Sequence, residues 1–301
     1  MRGRQGASKY LGYSIAIATS LAYAIWYIGS NSVMSMSSGT YAPILPLLVI
    51  EVISSALVFM LAKGRIQLQM SQLAYPVISG ALFAIGNYLF YIVLSGSGVA
   101  PASAFASAEI IVFTAILSLS SRFKHTMGIY YAGSVFIAGG MILESLTLNG
   151  QSITLDPYLL GLGAVIALVY GIATYFYYLS TRKINDTLSV MFPIQFTEVI
   201  LFGIAFIVLL PSIPIPQINA FYVSLIVVVG VMLMASFYLE TLVLKLLLPF
   251  GRGAVATGYI LSDLQLLPVI AFVLITQPGM LGYYLPGLIF ITFGMMLLDW
   301  K

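Results

Sequence analysis

Long apolar runs alternate with short polar breaks along the whole chain. Apolar stretches of about 20 residues recur, the length a helix needs to cross a hydrocarbon core. The pattern predicts ten spans, near residues 10–34, 41–62, 73–95, 100–121, 127–146, 157–180, 188–210, 219–244, 253–275 and 280–298. The connections are short, so no soluble domain fits between them. A porin-like barrel would alternate apolar and polar residues in segments of about ten, and that pattern is missing. The first span has a basic start and "ATSLAYA", a small-residue sequence like a cleavage site. Its apolar run is too long for a signal peptide. Moreover, "LAYAI" at Leu21–Ile25 recurs inside the sixth span as "LVYGI" at Leu168–Ile172.

Composition agrees with the pattern. Of 301 residues, 61% are hydrophobic and 7% charged, against about 25% charged in a soluble domain. Cysteine is absent, so the redox compartment cannot be read. The positions of the charges say more than the net +3. Arg2, Arg4 and Lys9 precede the first span, and Lys63 and Arg65 follow the second. Arg122 and Lys124 follow the fourth, and Arg182 and Lys183 the sixth. Lys245 and Arg252 flank the loop after the eighth, and Lys301 follows the tenth. With ten spans, all twelve fall on one side. Cytoplasmic loops carry the Lys/Arg excess, so both termini are expected in the cytoplasm of a cell with this protein in its plasma membrane.

The chain also repeats itself. "PLLVIEVI" (Pro46–Ile53) lies over "PIQFTEVI" (Pro193–Ile200) at an offset of 147, which carries Glu51 onto Glu198. "FAIGNYLFYIVL" (Phe83–Leu94) lies over "LMASFYLETLVL" (Leu233–Leu244) at 150. "GIYYAGSVFIAGGMILE" (Gly128–Glu144) lies over "GYYLPGLIFITFGMMLL" (Gly282–Leu298) at 154, with 8 of 17 positions identical. The expected fold is an all-α integral membrane protein built from two five-helix repeats, residues 1–148 and 149–301. Five is odd, so the second copy enters the membrane from the opposite side. Inverted repeats are characteristic of secondary transporters, with the substrate site near the midplane between the copies.

The arrangement resembles the drug/metabolite transporter superfamily, in its EamA-like branch, over the whole chain. "LAYAIWYIGSN" (Leu21–Asn31) resembles that family's first helix, with Trp26 at its usual aromatic position. "LLPVIAFVL" (Leu266–Leu274) resembles its proline-containing ninth helix. "GSVFIAGGMIL" (Gly133–Leu143) and "GLIFITFGMML" (Gly287–Leu297) resemble the glycine-spaced last helix of each half. Thr114 stands where the family's first-half proline is expected, and the acid often found at the end of that fourth helix is missing. The resemblance implies a carrier. Its substrates range over amino acids, amines, drugs, sugars, nucleotide conjugates and metal ions, and fold does not select among them.

Five acids fall inside predicted spans: Glu51, Glu109, Glu198, Glu240 and Asp263. At about 1.5 Å per residue, Glu51 and Glu198 sit near mid-membrane. The 154 offset pairs Glu109 with Asp263, also near mid-depth. Glu240 is expected closer to the cytoplasmic end, within reach of Lys245 or water, and ranks below the other four. No Lys, Arg or His sits at their depth. A charged side chain there costs about 2.5–3.5 kcal/mol on insertion scales. Each acid is therefore protonated, wetted by a cavity, or matched by a bound cation. The structural alternative is a protonated acid bonded to a neighbouring carbonyl or hydroxyl.

Aromatic and polar side chains share faces with these acids. Tyr23, Trp26, Tyr27 and Ser30 lie on one helical face, and Asn87, Tyr88 and Tyr91 cluster in the third span. Tyr259 is one turn before Asp263. Aromatic faces attract cations; they also pack helices together and anchor them at the interfaces. The candidate substrate-binding or proton-coupling residues are Glu51, Glu109, Glu198, Asp263, Trp26, Tyr23, Asn87, Tyr91 and Tyr259. Pro46 and Pro193 precede Glu51 and Glu198 and are expected to break their helices.

An enzyme is disfavoured. No HExxH motif is present, the one histidine (His125) lies in a loop, and only one aspartate falls mid-span. No cofactor, metal or nucleic acid is expected. The partners are the bilayer and a small substrate, and one chain suffices to enclose a site. The expected function is alternating-access carriage of an amine-bearing or zwitterionic metabolite, such as an amino acid or organic cation, with proton coupling as an option. The alternatives are a carrier of a neutral metabolite such as a sugar, and a cation channel.

Overall fold

The computed structural model describes residues 2–36, 39–66, 68–97, 99–119, 125–147, 157–216, 218–276 and 281–299. Twelve α-helices occur among them, with three short 3-10 turns and no strand: α1 Arg2–Met34, α2 Ile44–Leu61, α3 Ala74–Ser97, α4 Val99–Ser107, α5 Glu109–Leu119, α6 His125–Thr147, α7 Pro157–Lys183, α8 Thr187–Leu209, α9 Ala220–Leu247, α10 Arg252–Ser262, α11 Leu266–Thr276 and α12 Leu281–Asp299. Eight helical segments are long and apolar enough to cross a membrane, and they mark a multi-pass membrane protein. Two of the eight, Ala102–Leu119 and Arg252–Phe272, run across the α4/α5 and α10/α11 breaks. The helices α6 and α12, at the expected fifth and tenth spans, are not among the eight.

Local chemistry sets the helix ends. Asp186 accepts the Ser189 amide at 2.7 Å and starts α8; Asn219 accepts the Tyr222 amide at 2.8 Å and starts α9. Such caps satisfy amides that the first turn leaves open. Lys63 and Gly64 turn left-handed (φ 50° and 66°) to end α2. Pro46 is the third residue of α2, where a missing amide costs nothing. It therefore starts its helix rather than breaking it. Pro193 sits inside α8, which runs unbroken from Thr187 to Leu209, so neither proline breaks its helix.

The main packing pairs are α1 with α9, α3 with α7, α2 with α8, and α6 with α12. Glycine decides the last one. A Cβ at Gly140 would lie 2.6 Å from the Gly287 carbonyl oxygen, and one at Gly294 would lie 2.7 Å from that of Gly133. Only hydrogen permits this approach, the close backbone contact that membrane helices favour. The outer surface is apolar: Ile17, Leu21 and Ile25 follow one face of α1 at about half exposure, and Ile204, Ile207 and Val208 follow one face of α8 and are still more exposed. Lipid, not water, suits such a surface.

Candidate functional site

Two expected spans are broken rather than continuous. Ala108 interrupts the fourth, between α4 and α5, and Asp263–Gln265 interrupt the ninth, between α10 and α11. Pro268 explains the second break. It has no amide for the Leu264 carbonyl, which takes the Leu267 amide instead at 3.1 Å. No proline marks the first break; Ile111 bonds back to Ala108 at 3.1 Å in a tightened turn. Glu109 is the first residue of α5, and Asp263 caps the end of α10. Both acids thus stand at broken helix ends. The Ser107 hydroxyl donates to the Asp263 carbonyl at 3.1 Å and ties the breaks together.

Beside the breaks lies a cavity of about 30 Å³, with volume for about two waters. Three acids line it: Glu109, Glu240 and Asp263. So do seven aromatics, Tyr23, Trp26, Tyr27, Phe83, Tyr170, Phe237 and Tyr259, with Asn87, Ser262 and Gln265. No Lys, Arg or His is in this wall. Among the described residues no group of three or more His, Cys, Asp or Glu could hold a metal ion.

The wall is partly wired. Glu109 accepts from Tyr259 at 2.6 Å and from Thr174 at 3.2 Å. Glu240 accepts from Tyr23. Asp263 Oδ1 accepts from Gln265 Nε2 at 2.7 Å. Tyr170 donates to Asn87 Oδ1 at 2.6 Å, and Asn87 Nδ2 donates to Glu198 at 2.7 Å. Gly86 lets Tyr170 in, since a Cβ there would lie 2.5 Å from its ring. Three acceptors on wall residues remain without a partner: Glu240 Oε1, Asp263 Oδ2 and Gln265 Oε1. Orphan acceptors in a buried site are costly.

Of the nine candidates from the sequence, six line the cavity: Glu109, Asp263, Trp26, Tyr23, Asn87 and Tyr259. Tyr259 reaches Glu109, not the nearer-in-sequence Asp263. Tyr91 is buried elsewhere and shares a 2.7 Å hydrogen bond with Ser30. Glu51 and Glu198 are buried outside the wall. Glu240 differs most from expectation. It is 3% exposed, bonded to Tyr23 and part of the wall. Lys245 instead donates to the Asn185 carbonyl. Close α1–α9 packing, with Gly29 against Val229, brings Tyr23 onto Glu240. The sequence signal for this was Glu240 itself, the one acid on α9. Gln265 and the first break had no such signal.

No family model matches the chain, and no curated protein matches it. A solved structure described only as "Crystal structure of protein" is similar over 97% of this chain and 96% of its own, with a TM-score of 0.69 and 14% identity. The likeness speaks to the fold alone.

Proposed function

We propose that this protein is a secondary transporter of small amine-bearing metabolites, resembling the EamA-like drug/metabolite transporters. The observation that carries this reading is the cavity wall. It holds three carboxyl groups, seven aromatic rings and three unpartnered acceptors, with no basic side chain. Ammonium groups supply donors to such acceptors and sit well over desolvated rings. The end of α10 adds the negative end of a helix dipole beside Asp263.

Ten spans as two inverted halves, 1–148 and 149–301, remain the architecture we favour. The α6–α12 crossing supports it. Gly140 meets Gly287 and Ile291, while Gly294 meets Gly133 and Ile137, and these contacts interchange under the 154-residue offset. The breaks at Glu109 and Asp263 fall at matched positions too, as discontinuous helices in transporters do. Cytoplasmic termini follow from the Lys/Arg bias. In support, the loops after α2, α7 and α9 meet at one end, where Gln72 bonds the Lys183 carbonyl and Lys245 that of Asn185.

A cavity for about two waters is too small for an amino acid, so loading requires the halves to rock apart around it. Proteoliposome uptake of a panel of amines, amino acids and sugars tests the reading. Saturable uptake with counterflow for an amine or amino acid is the expected result. Uptake of sugars alone overturns the amine assignment, and unsaturable flux without counterflow marks a channel.

A further inference from the structure

Glu51 and Glu198 do not belong to the cavity wall, yet they are 1% and 0% exposed. Their carboxyl groups face each other across the α2–α8 contact. Both Glu51 oxygens and Glu198 Oε1 have no hydrogen-bond partner as the side chains stand. One turn away on the same helices, Ser54 and Gln195 also hold buried polar atoms without partners. Glu198 Oε2 alone is satisfied, by Asn87, whose own oxygen takes the Tyr170 hydroxyl. Asn87 and Tyr170 both line the cavity.

We propose that Glu51 and Glu198 form a single-proton site, separate from the cavity and wired to its wall through Asn87 and Tyr170. The assignment of the proton follows from the donors. Glu198 accepts an N–H, which suits a carboxylate; Glu51 accepts no hydrogen bond, which suits the protonated partner. A Glu51 O–H donated to Glu198 Oε1 then satisfies two of the three orphan oxygens in one charge-assisted bond. Two facing carboxylates with no proton would repel at short range in a dry interior. The titratable neighbours within electrostatic range are Tyr91 on α3 for Glu51, with Tyr222 of α9 near that tyrosine, and Tyr170 on α7 for Glu198. None of these is basic, so the proton is the natural counter-charge. Release breaks the Glu51 O–H bond, leaves its electron pair on the carboxylate and passes the proton to water. Because Asn87 joins the pair to the cavity wall, the pair's charge state and the cavity's occupancy bias each other reciprocally. This deepens the transporter reading and, for the coupling, rests on it.

Infrared difference spectroscopy across a pH titration, on purified protein in lipid without added substrate, tests the site directly. The wild type should show a protonated-carboxyl band that titrates as one proton. Glu51→Gln and Glu198→Gln should each alter that same band, and the double variant should remove it. Two bands, each lost in only one variant, overturn the shared proton, as does a band indifferent to both. Glu51→Asp and Glu198→Asp keep the carboxyls but shorten one arm; they carry the same test if an amide variant fails to fold. Tyr170→Phe removes the donor to Asn87 and leaves both carboxyl groups in place, yet should move the midpoint by about half a pH unit or more. An unmoved midpoint overturns the wiring. The spectra need no substrate, so their failure leaves amine uptake standing, and failed uptake leaves the proton site standing.

Discussion

The Tyr259 hydroxyl donates to Glu109 at 2.6 Å, joining the helix that ends at one break to the helix that begins at the other. The Thr174 hydroxyl lies within reach of both partners, 2.9 Å from Tyr259 and 3.2 Å from Glu109, and its single proton serves one of them at a time. The bond holds α10 on α5, and it holds a carboxyl in the cavity wall.

Tyr259→Phe should therefore destabilise the protein by about 1–3 kcal/mol, because it leaves a buried carboxyl oxygen without its donor. Thermal unfolding in detergent checks this. Thr174→Val removes the longer bond and should cost less. Equal stability of Tyr259→Phe and wild type would mean that the bond does not form.

The α6–α12 crossing gives a paired prediction. Gly140→Ala and Gly294→Ala should each cost about 1–3 kcal/mol by overpacking, since each new methyl meets a backbone oxygen. Gly139→Ala has nothing within 4 Å and should be neutral, or stabilising by about 0.5–1 kcal/mol through helix propensity. Matching losses at 140 and 294 but not 139, read by thermal unfolding, check the crossing.

The helices were legible because period and length are local properties. Each expected span finds a helix or a helix pair within a few residues, except that α1 starts at Arg2 instead of near residue 10. The breaks were not read: they were expected at Pro46 and Pro193, whose helices run on, and they occur at Ala108, which no proline marks, and at Asp263–Gln265 ahead of Pro268. Site membership depends on which helices pack together, and spacing along one helix does not carry that. Hence, of four acids expected near mid-depth, Glu109 and Asp263 line the wall while Glu51 and Glu198 do not, and Glu240 joins through the α1–α9 contact. Tyr91 shares a helix with Asn87 but points to Ser30.

Orientation can be read chemically, because the chain has no cysteine of its own. Cysteine at Lys63 should be shielded from an impermeant thiol reagent in intact cells. Cysteine at Ile218, which is 69% exposed, should react. Labelling at 63 and protection at 218 would reverse the topology, and labelling at both would break the ten-span count.

The last prediction concerns the acids with unpartnered oxygens. Asp263→Asn and Glu240→Gln keep shape and hydrogen-bonding capacity but remove the charge. If Asp263 Oδ2 and Glu240 Oε1 receive an ammonium group, the amides lose its Coulomb attraction and also turn a donor toward it in some rotamers. An amine found in the uptake panel should stabilise wild type on binding, by about 2.7 kcal/mol at a hundredfold excess over Kd. That ligand-dependent shift should shrink or vanish in both variants. Tyr91→Phe serves as a control, since Tyr91 is buried outside the wall and its variant should keep the shift. The two acids separate further by partner. Glu240 also holds Tyr23, so Glu240→Gln disturbs ligand-free stability as well as binding. Asp263 holds only Gln265, two residues away, so Asp263→Asn should weaken binding with little change in the unliganded protein. Should both amide variants bind amines as wild type does, the orphan acceptors are not the ammonium site, and the neutral-metabolite reading takes its place.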